Sequence, residues 1–177
     1  TRSMDRANDR RRPAVGRELG CKRQAGPLGE QGEAPFGVET AASGRASCRQ
    51  CGTAVPKGAL KVVASGWSRG GRIAASHHLA CFVGTLRVEV CSTNRGKCKH
   101  SGAKFVKGSL RVGYTATAAD DIAWLCLESA ASLLPPILAQ AAGWTPTLLS
   151  GFEQLTPELR VAAKRALLGT GGGDASV

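Results

Sequence analysis

The sequence has few aromatic residues, and its middle part has almost no acidic ones. Aromatic side chains make up 5% of the 177 residues, so the hydrophobic core must be small and would gain stability from a bound metal. Residues 45 to 111 contain thirteen basic side chains and one acidic one, Glu89, whereas the whole chain carries a formal charge of +11. Such a concentration of positive charge indicates that this segment binds a polyanion, most simply nucleic acid. The alternative is that the charges form a basic surface that only contacts solvent.

The sequence also lacks the patterns typical of catalysis or of membrane insertion. It contains no convincing nucleophile with a base, carboxylate pair, phosphate-binding glycine loop or open metal site, so we predict no enzymatic activity and no small-molecule substrate. Prolines and Glu128 interrupt the apolar run 122–149, which argues against a membrane partner. The printed sequence does not begin with an apolar signal peptide, which favours a reducing compartment and thiols that are free or metal-bound.

The sequence has seven cysteines and three histidines, and four of these ten residues form a pattern typical of a metal site. Cys48 and Cys51 are separated by two residues, and so are His78 and Cys81. Such pairs can converge on one ion, and four protein donors leave no open position, so we predict one structural Zn²⁺. His77 would give a three-residue spacing to Cys81, and we therefore expect it to be a solvent or strand residue.

The segments on either side of the predicted zinc site differ in character. Residues 1–43 are rich in Arg, Gly, Pro and Ala without a regular apolar period, so we predict that they are disordered; Arg10–Arg12 could serve in nuclear import or contact a polyanion. Residues 59–65 predict a strand, 66–72 a flexible hairpin loop, and 73–77 a return strand. Residues 81–90 fit a helix or a strand equally well.

Side chains around this predicted site are candidates for contact with nucleic acid. An exposed tryptophan can stack on a base, and arginine or lysine can contact phosphates, although each of these residues could equally be a core or solvated side chain. The candidates are Arg45, Arg49, Lys57, Lys61, Trp67, Arg69 and Arg72.

The sequence contains an internal repeat with an offset of fifty residues. Between 45–62 and 95–112, seven of eighteen aligned residues are identical, including Cys48 with Cys98. Ser101 replaces Cys51, and no His-x2-Cys follows, so we predict a second repeat without zinc. An alternative second ion, held by Cys91, Cys98, His100 and Cys126, does not fit the usual spacing of ligand pairs.

The C-terminal part predicts helices. Asp120 or Asp121 could cap a helix that runs through Trp124 towards Leu134, followed by a helical stretch to Gly143. Thr156 and Pro157 are typical of a helix start, and Gly169 of its end. We predict that the tail 170–177 is disordered.

The first repeat resembles the zinc finger of poly(ADP-ribose) polymerases and DNA ligase III. The resemblance rests on 44–51 (Gly-Arg-Ala-Ser-Cys-x2-Cys), 57–62 (Lys-Gly-Ala-Leu-Lys-Val) and 78–82 (His-x2-Cys-Phe), and extends more weakly to Gly151-Phe152-x2-Leu155. It implies a zinc-held sheet with packed helices that recognises DNA breaks by backbone contacts and base stacking, with Arg45 on the phosphates and Trp67 at the stacking position. The polymerase catalytic domain is absent from this sequence.

Together these patterns predict an α+β fold with a small antiparallel sheet and packed helices. We expect a zinc finger at 44–90 and a degenerate repeat with C-terminal helices at 91–169. The predicted function is that of a nuclear DNA-binding protein with a possible protein partner; the alternative is a zinc-stabilised protein-interaction or RNA-binding module.

Overall fold

A computed structural model describes residues 34–68, 71–116 and 122–169. In this part of the chain the fold is α+β, with two antiparallel three-stranded sheets and four helices. The predicted fold class is thereby confirmed at this level. The predicted disordered segments 1–33 and 170–177 lie outside the described residues. None of the described helices has the length and hydropathy needed to cross a membrane.

The first sheet contains β1 (Phe36–Thr40), β2 (Leu60–Ser68) and β3 (Gly71–His78), in that order, and α1 (Leu79–Val83) follows it. Strand β1 corrects the prediction that all of residues 1–43 are disordered. It forms because Phe36 is buried and the backbone of 36–40 pairs with β2, a long-range contact that a local apolar period does not reveal.

The second sheet contains β4 (Arg87–Val90), β5 (Leu110–Thr115) and β6 (Ile122–Cys126), in that order. Two predictions are therefore wrong. The predicted boundary at residue 90 separates β4 from the other strands of its sheet. The helix predicted through Trp124 is instead strand β6 as far as Cys126. β6 pairs with β5 from Arg111↔Cys126 to Thr115↔Ile122, so tertiary pairing overrides the helical pattern.

The helices after this sheet are α2 (Leu127–Leu133), α3 (Pro135–Leu138) and α4 (Pro157–Leu168). The predicted stretch to Gly143 is shorter than expected, since α3 ends at Leu138. The start of α4 is confirmed, with Thr156 at the N-cap and proline in the first turn, and Gly169 follows its last residue at φ 74°. Ala163 and Leu167, on one face of α4, are buried.

The two repeats share their backbone design as well as their sequence. Cys48 N donates to Thr53 O and Cys98 N to Ala103 O, both at 2.8 Å. Gly58 N donates to the carbonyl of Ala41 and Gly108 N to that of Cys91, again both at 2.8 Å, and Gly58 and Gly108 have φ of 82° and 86°. The fifty-residue sequence repeat is therefore a structural repeat.

One hydrophobic core joins the two repeats. Tyr114 of β5 lies with its ring centroid 4.9 Å from that of Phe36 and 5.9 Å from that of Phe82, and all three side chains are buried. Gly151 closes the second repeat at φ 86°, where a Cβ atom would overlap the Val88 carbonyl oxygen. The second repeat thus packs directly against the first.

Candidate metal centre

The first two donors of the predicted metal site lie on a turn between β1 and β2. Gly52 N donates to Cys48 O at 2.8 Å, and Gly52 adopts φ 75°, a left-handed conformation that glycine accepts without steric cost. A short bridge between Ser47 and Ala54 closes the turn. This geometry places Cys48 and Cys51 on the same side of the turn.

The other two donors lie at the junction of β3 and α1. His78 is the last residue of β3, and Cys81 lies in the first turn of α1. His78 Nδ1 is 3.4 Å from Cys51 Sγ and 3.9 Å from Cys81 Sγ, and the four donor atoms all lie within 4.8 Å of one another. The fold therefore brings together the four residues that the spacing predicted.

Hydrogen bonds around the site select the donor atom of the histidine. His78 Nε2 lies 3.2 Å from the carbonyl oxygen of Ala54; because a carbonyl only accepts, Nε2 carries the proton. Nδ1 is then left with its lone pair facing the sulfur atoms. An outer hydrogen bond of this kind orients a metal-binding histidine and makes it a better donor.

Two of the three thiols are held in a form suited to metal binding. The hydroxyl of Thr53, 3.0 Å from Cys51 Sγ, lowers the pKa of Cys51 to about 6. Burial opposes ionisation of Cys48, but backbone N–H donors from Cys51, His78 and Gln50 lower its pKa. Burial, together with the neighbouring thiols, raises the pKa of Cys81 to about 12. A cation would offset that last effect, since thiolate is the form that binds metal.

Cys48, Cys51, His78 and Cys81 could hold one metal ion. No protein-family model matches the chain, and the curated proteins contain no match. The strongest functional indication in the described part of the chain is therefore the donor set of three sulfurs and one imidazole. Its chemistry fits a closed tetrahedral site for a soft or borderline ion.

The neighbouring His77 has a different role from His78. It lies in β3 and its side chain is fully buried. Of the two alternatives predicted for His77, the strand residue is therefore confirmed and the solvent-exposed residue is not. Its Nε2 lies 3.0 Å from the carbonyl oxygen of Ala116, which ties the first repeat to the second. Burial lowers the pKa of His77, and the residue is neutral in the fold.

Three candidate phosphate contacts lie close to the metal-site turn. Arg45, Arg49 and Lys57 are exposed. Lys61 differs, because its Nζ lies 2.8 Å from Glu39 Oε1 and 3.3 Å from Ser76 Oγ, and its side chain is only 13% exposed. A phosphate would have to displace Glu39 from Lys61.

Two of the remaining candidates, Trp67 and Arg72, lie on the strands of the β2–β3 hairpin. The predicted loop 66–72 is wrong in extent, because β2 continues to Ser68 and β3 begins at Gly71, with Trp67 opposite Arg72 in the register. Strand pairing extends to the end of the hairpin despite its glycines. Arg69 lies outside the described residues.

The second repeat contains a partial copy of the metal centre. The strand partner of Lys61 is His78, and the strand partner of Arg111 is Cys126, so Cys126 occupies the position of His78. His78 N donates to Cys48 Sγ and Cys126 N to Cys98 Sγ, both at 3.3 Å. The four positions are therefore Cys98, Ser101, Cys126 and Ser129.

The sequence repeat did not reveal the last of these positions. The copy of the β3–α1 junction is offset by forty-eight residues rather than fifty, and few identities remain there. Only the strand register shows that Ser129 in the second repeat corresponds to Cys81 in the first. Of the four ligands suggested for the alternative second ion, only Cys98 and Cys126 come together. Cys91 is not at the junction, because its backbone occupies the position that Ala41 has in the first repeat. Within the described residues, the one group able to hold a metal is that around Cys48.

Proposed function

We propose that the protein is a nuclear, non-enzymatic DNA-binding protein whose first repeat is a zinc finger with one structural Zn²⁺. The convergence of Cys48, Cys51, His78 and Cys81 carries this proposal. Zinc is the ion that sites of this composition hold in small reducing-compartment domains. Zinc would tie the turn between β1 and β2 to the β3–α1 junction; the four protein donors give it a structural role.

The charge around the metal centre supports a polyanionic partner. Arg45, Arg49 and Lys57 are exposed around the turn. Glu89, the one acidic residue in 45–111, forms an ion pair with Arg111 and so does not offset the basic residues of the turn. A surface of this kind attracts a phosphate backbone and binds it in a salt-dependent way.

Preference for strand breaks rests on the resemblance to the polymerase and ligase fingers. The resemblance implies stacking on an exposed base pair by the segment between the two ligand pairs, and Trp67 and Arg72 lie on the β2–β3 hairpin of that segment. We propose that Trp67 stacks at the break while Arg45 contacts the backbone. The other candidate contacts are Arg49, Lys57, Lys61, Arg69 and Arg72.

The alternative is a zinc-stabilised module that binds RNA or a protein. The exposed apolar side chains Leu60, Val90 and Val106 favour a protein partner, because such groups can form the centre of an interface. A protein partner could also bind beside DNA.

Fluorescence anisotropy of the zinc-loaded chain tests the proposal. Labelled duplexes of one sequence would be compared intact, nicked and gapped, alongside single-stranded RNA. We expect the nicked and gapped duplexes to bind more tightly than the intact one and the RNA. Affinity should fall steeply with salt, with a log–log slope of about −0.9 for each phosphate neutralised. Salt-independent binding would contradict the DNA proposal; equal affinity for nicked and intact duplex would remove break recognition alone.

Substitution of Trp67 tests the stacking role separately. Trp67→Ala should reduce the preference for nicked over intact duplex by roughly 5- to 100-fold, since stacking on a base contributes about 1–3 kcal/mol. Trp67→Phe retains an aromatic face and should keep most of the preference. An equal loss in both variants would assign Trp67 to folding instead.

A further inference from the structure

The partial copy of the metal centre retains two sulfur atoms, one from each side of the junction, that contact the same serine hydroxyl. Cys98 lies on the turn between β4 and β5, and Cys126 is the last residue of β6. Ser129 Oγ lies 3.3 Å from both Cys98 Sγ and Cys126 Sγ. The two thiols are 2% and 3% exposed, so the fold holds them together in a confined space.

The substitutions at this site are not those of a simply decayed zinc site. Serine replaces one cysteine on each side of the junction, Ser101 for Cys51 and Ser129 for Cys81. The position of His78, however, is occupied by a cysteine, Cys126. One thiol therefore remains on each of the two segments that the metal would tie together in the first repeat. Two thiols and two hydroxyls are a poor donor set for zinc, whereas two thiols that contact the same hydroxyl can form a covalent bond with each other.

The local hydrogen bonds prepare one of the two thiols to react. Cys98 Sγ accepts the backbone N–H of Cys126 at 3.3 Å and that of Ser101 at 3.5 Å. The Cys126 thiol beside it is the main cause that lowers the pKa of Cys98 to about 4, and the same contact raises the pKa of Cys126. Of the two thiols, Cys98 therefore ionises more readily, and the thiolate is the nucleophilic form; Cys126 is the thiol that can follow it.

We propose that Cys98 and Cys126 form a reversible disulfide that takes the place of the metal as the cross-link of the second repeat. The oxidant is a hydroperoxide or a low-molecular-weight disulfide. With oxidised glutathione, Cys98 sulfur attacks one sulfur, the S–S bond breaks and one glutathione leaves as its thiol; Cys126 sulfur then attacks the Cys98 sulfur of the mixed disulfide and the second glutathione leaves as its thiol. With hydrogen peroxide, Cys98 sulfur attacks one oxygen, the O–O bond breaks, and the second oxygen leaves as water after taking a proton. Cys126 sulfur then attacks the sulfenic sulfur of Cys98, the S–O bond breaks and a second water leaves. Two thiols and one peroxide give one disulfide and two waters, with two electrons passing from sulfur to oxygen.

The cross-link would constrain the unfolded chain more than the folded one, because both sulfurs already contact the Ser129 hydroxyl in the folded protein. It encloses the 27 residues between Cys98 and Cys126, which include the whole of β5 and nearly all of β6. A loop of this length predicts a rise in the unfolding temperature of roughly 10–15 °C on oxidation. The proposal depends on the second repeat alone and not on DNA binding by the first.

Mass spectrometry of the zinc-loaded full chain tests the proposal in two arms. In one arm the folded protein is treated with one equivalent of hydrogen peroxide; in the other the chain is refolded with zinc in a buffer of reduced and oxidised glutathione, which reaches the buried thiols before they close. Free thiols are then alkylated and the protein is mapped by proteolysis. We expect a peptide containing Cys98 linked to one containing Cys126 in at least one arm, reversed by dithiothreitol.

Matched variants separate this pair from other thiols. Cys91→Ser removes another buried cysteine of the same repeat and should leave the cross-link and the thermal shift intact, whereas Cys126→Ser should abolish both. The proposal is overturned if Cys98 and Cys126 are alkylated in both arms, if Cys98 is oxidised to sulfinic acid with Cys126 free, or if both thiols bind a second metal ion. Because the wild-type chain gives the primary result, failure of a variant to fold does not affect it.

Discussion

The first and second repeats use one backbone frame with different side chains at the same four positions. The turn hydrogen bonds, the positive-φ glycines and the strand register coincide. At the junction, however, the first repeat has three thiols and an imidazole, and the second has two thiols and two hydroxyls. The frame therefore does not depend on a complete ligand set. Burial takes over part of that role, since Cys126 and Ser129 are buried whereas the equivalent His78 and Cys81 are only partly buried.

Removal of a metal ligand should give the largest difference between the repeats. We predict that Cys48→Ser abolishes zinc binding and unfolds the first repeat, because zinc binding in small structural sites contributes about 10–16 kcal/mol, comparable to the whole stability of a domain. The matched Cys98→Ser should retain one zinc per chain. Metal analysis combined with circular dichroism measures both. Full zinc content in Cys48→Ser would contradict the assigned ligand set.

Restoration of the ligands in the second repeat should create a second metal site. We predict that the triple variant S101C/C126H/S129C binds two zinc ions per chain, because the backbone already holds these positions as it does in the first repeat. Native mass spectrometry counts the ions. The matched variant S101C/S129C without the histidine tests whether the imidazole is needed. If the triple variant binds only one zinc ion, the backbones of the two repeats differ more than their hydrogen bonds indicate.

The basic residues offer a matched comparison for DNA binding. We predict that R45A/R49A/K57A weakens binding at least about tenfold at low salt and flattens the log–log salt slope by roughly 3, because each substitution leaves one phosphate without its cation. The equivalent R95A/K99A/K107A removes the same charge from exposed positions fifty residues away. This second variant should change the DNA affinity and the salt slope less than the first. Equal effects would assign DNA binding to both repeats.

The second sheet should be less tolerant of an added methyl group than the first. Gly113 lies opposite Trp124, and a Cβ atom there would lie 2.8 Å from the Ile122 and Trp124 side chains. Gly113→Ala should therefore lower the free energy of unfolding by about 1–3 kcal/mol. Gly37→Ala in β1 meets no atom within 4 Å and should be neutral or slightly stabilising. Urea unfolding of both variants measures the difference.

The smallest predicted effects come from the two equivalent ion pairs. Lys61 pairs with Glu39 in the first repeat; Arg111 pairs with Glu89 in the second, with its guanidinium 4.1 Å from the ring centroid of Trp124. Each pair should contribute under about 1 kcal/mol to stability. Glu39→Gln frees Lys61 and should raise DNA affinity roughly two- to threefold at low salt, while Glu89→Gln should leave it nearly unchanged. A gain in Glu89→Gln alone would reverse the assignment of the DNA-binding repeat.

The site was easier to predict than the elements around it. Cys48, Cys51, His78 and Cys81 follow from spacing alone, because two-residue gaps within each pair suit one ion. Strand β6 was predicted as a helix, since its apolar residues fit a helical period locally and only pairing with β5 decides otherwise. The hairpin at Trp67 was predicted as a loop because glycine and arginine weaken the strand signal, whereas the paired backbone continues to Ser68.

Residue type and spacing within short stretches were enough to predict the four candidate metal ligands, the basic middle segment, the repeat and the last helix. Tertiary structure alone decided that β1 completes the first sheet, that β4 belongs to the second, and that His77 is buried against Ala116. It also decided that Cys126 and Ser129 stand at the positions of His78 and Cys81. These results depend on which strands pair and in what register, and that is set by contacts between residues far apart in the chain.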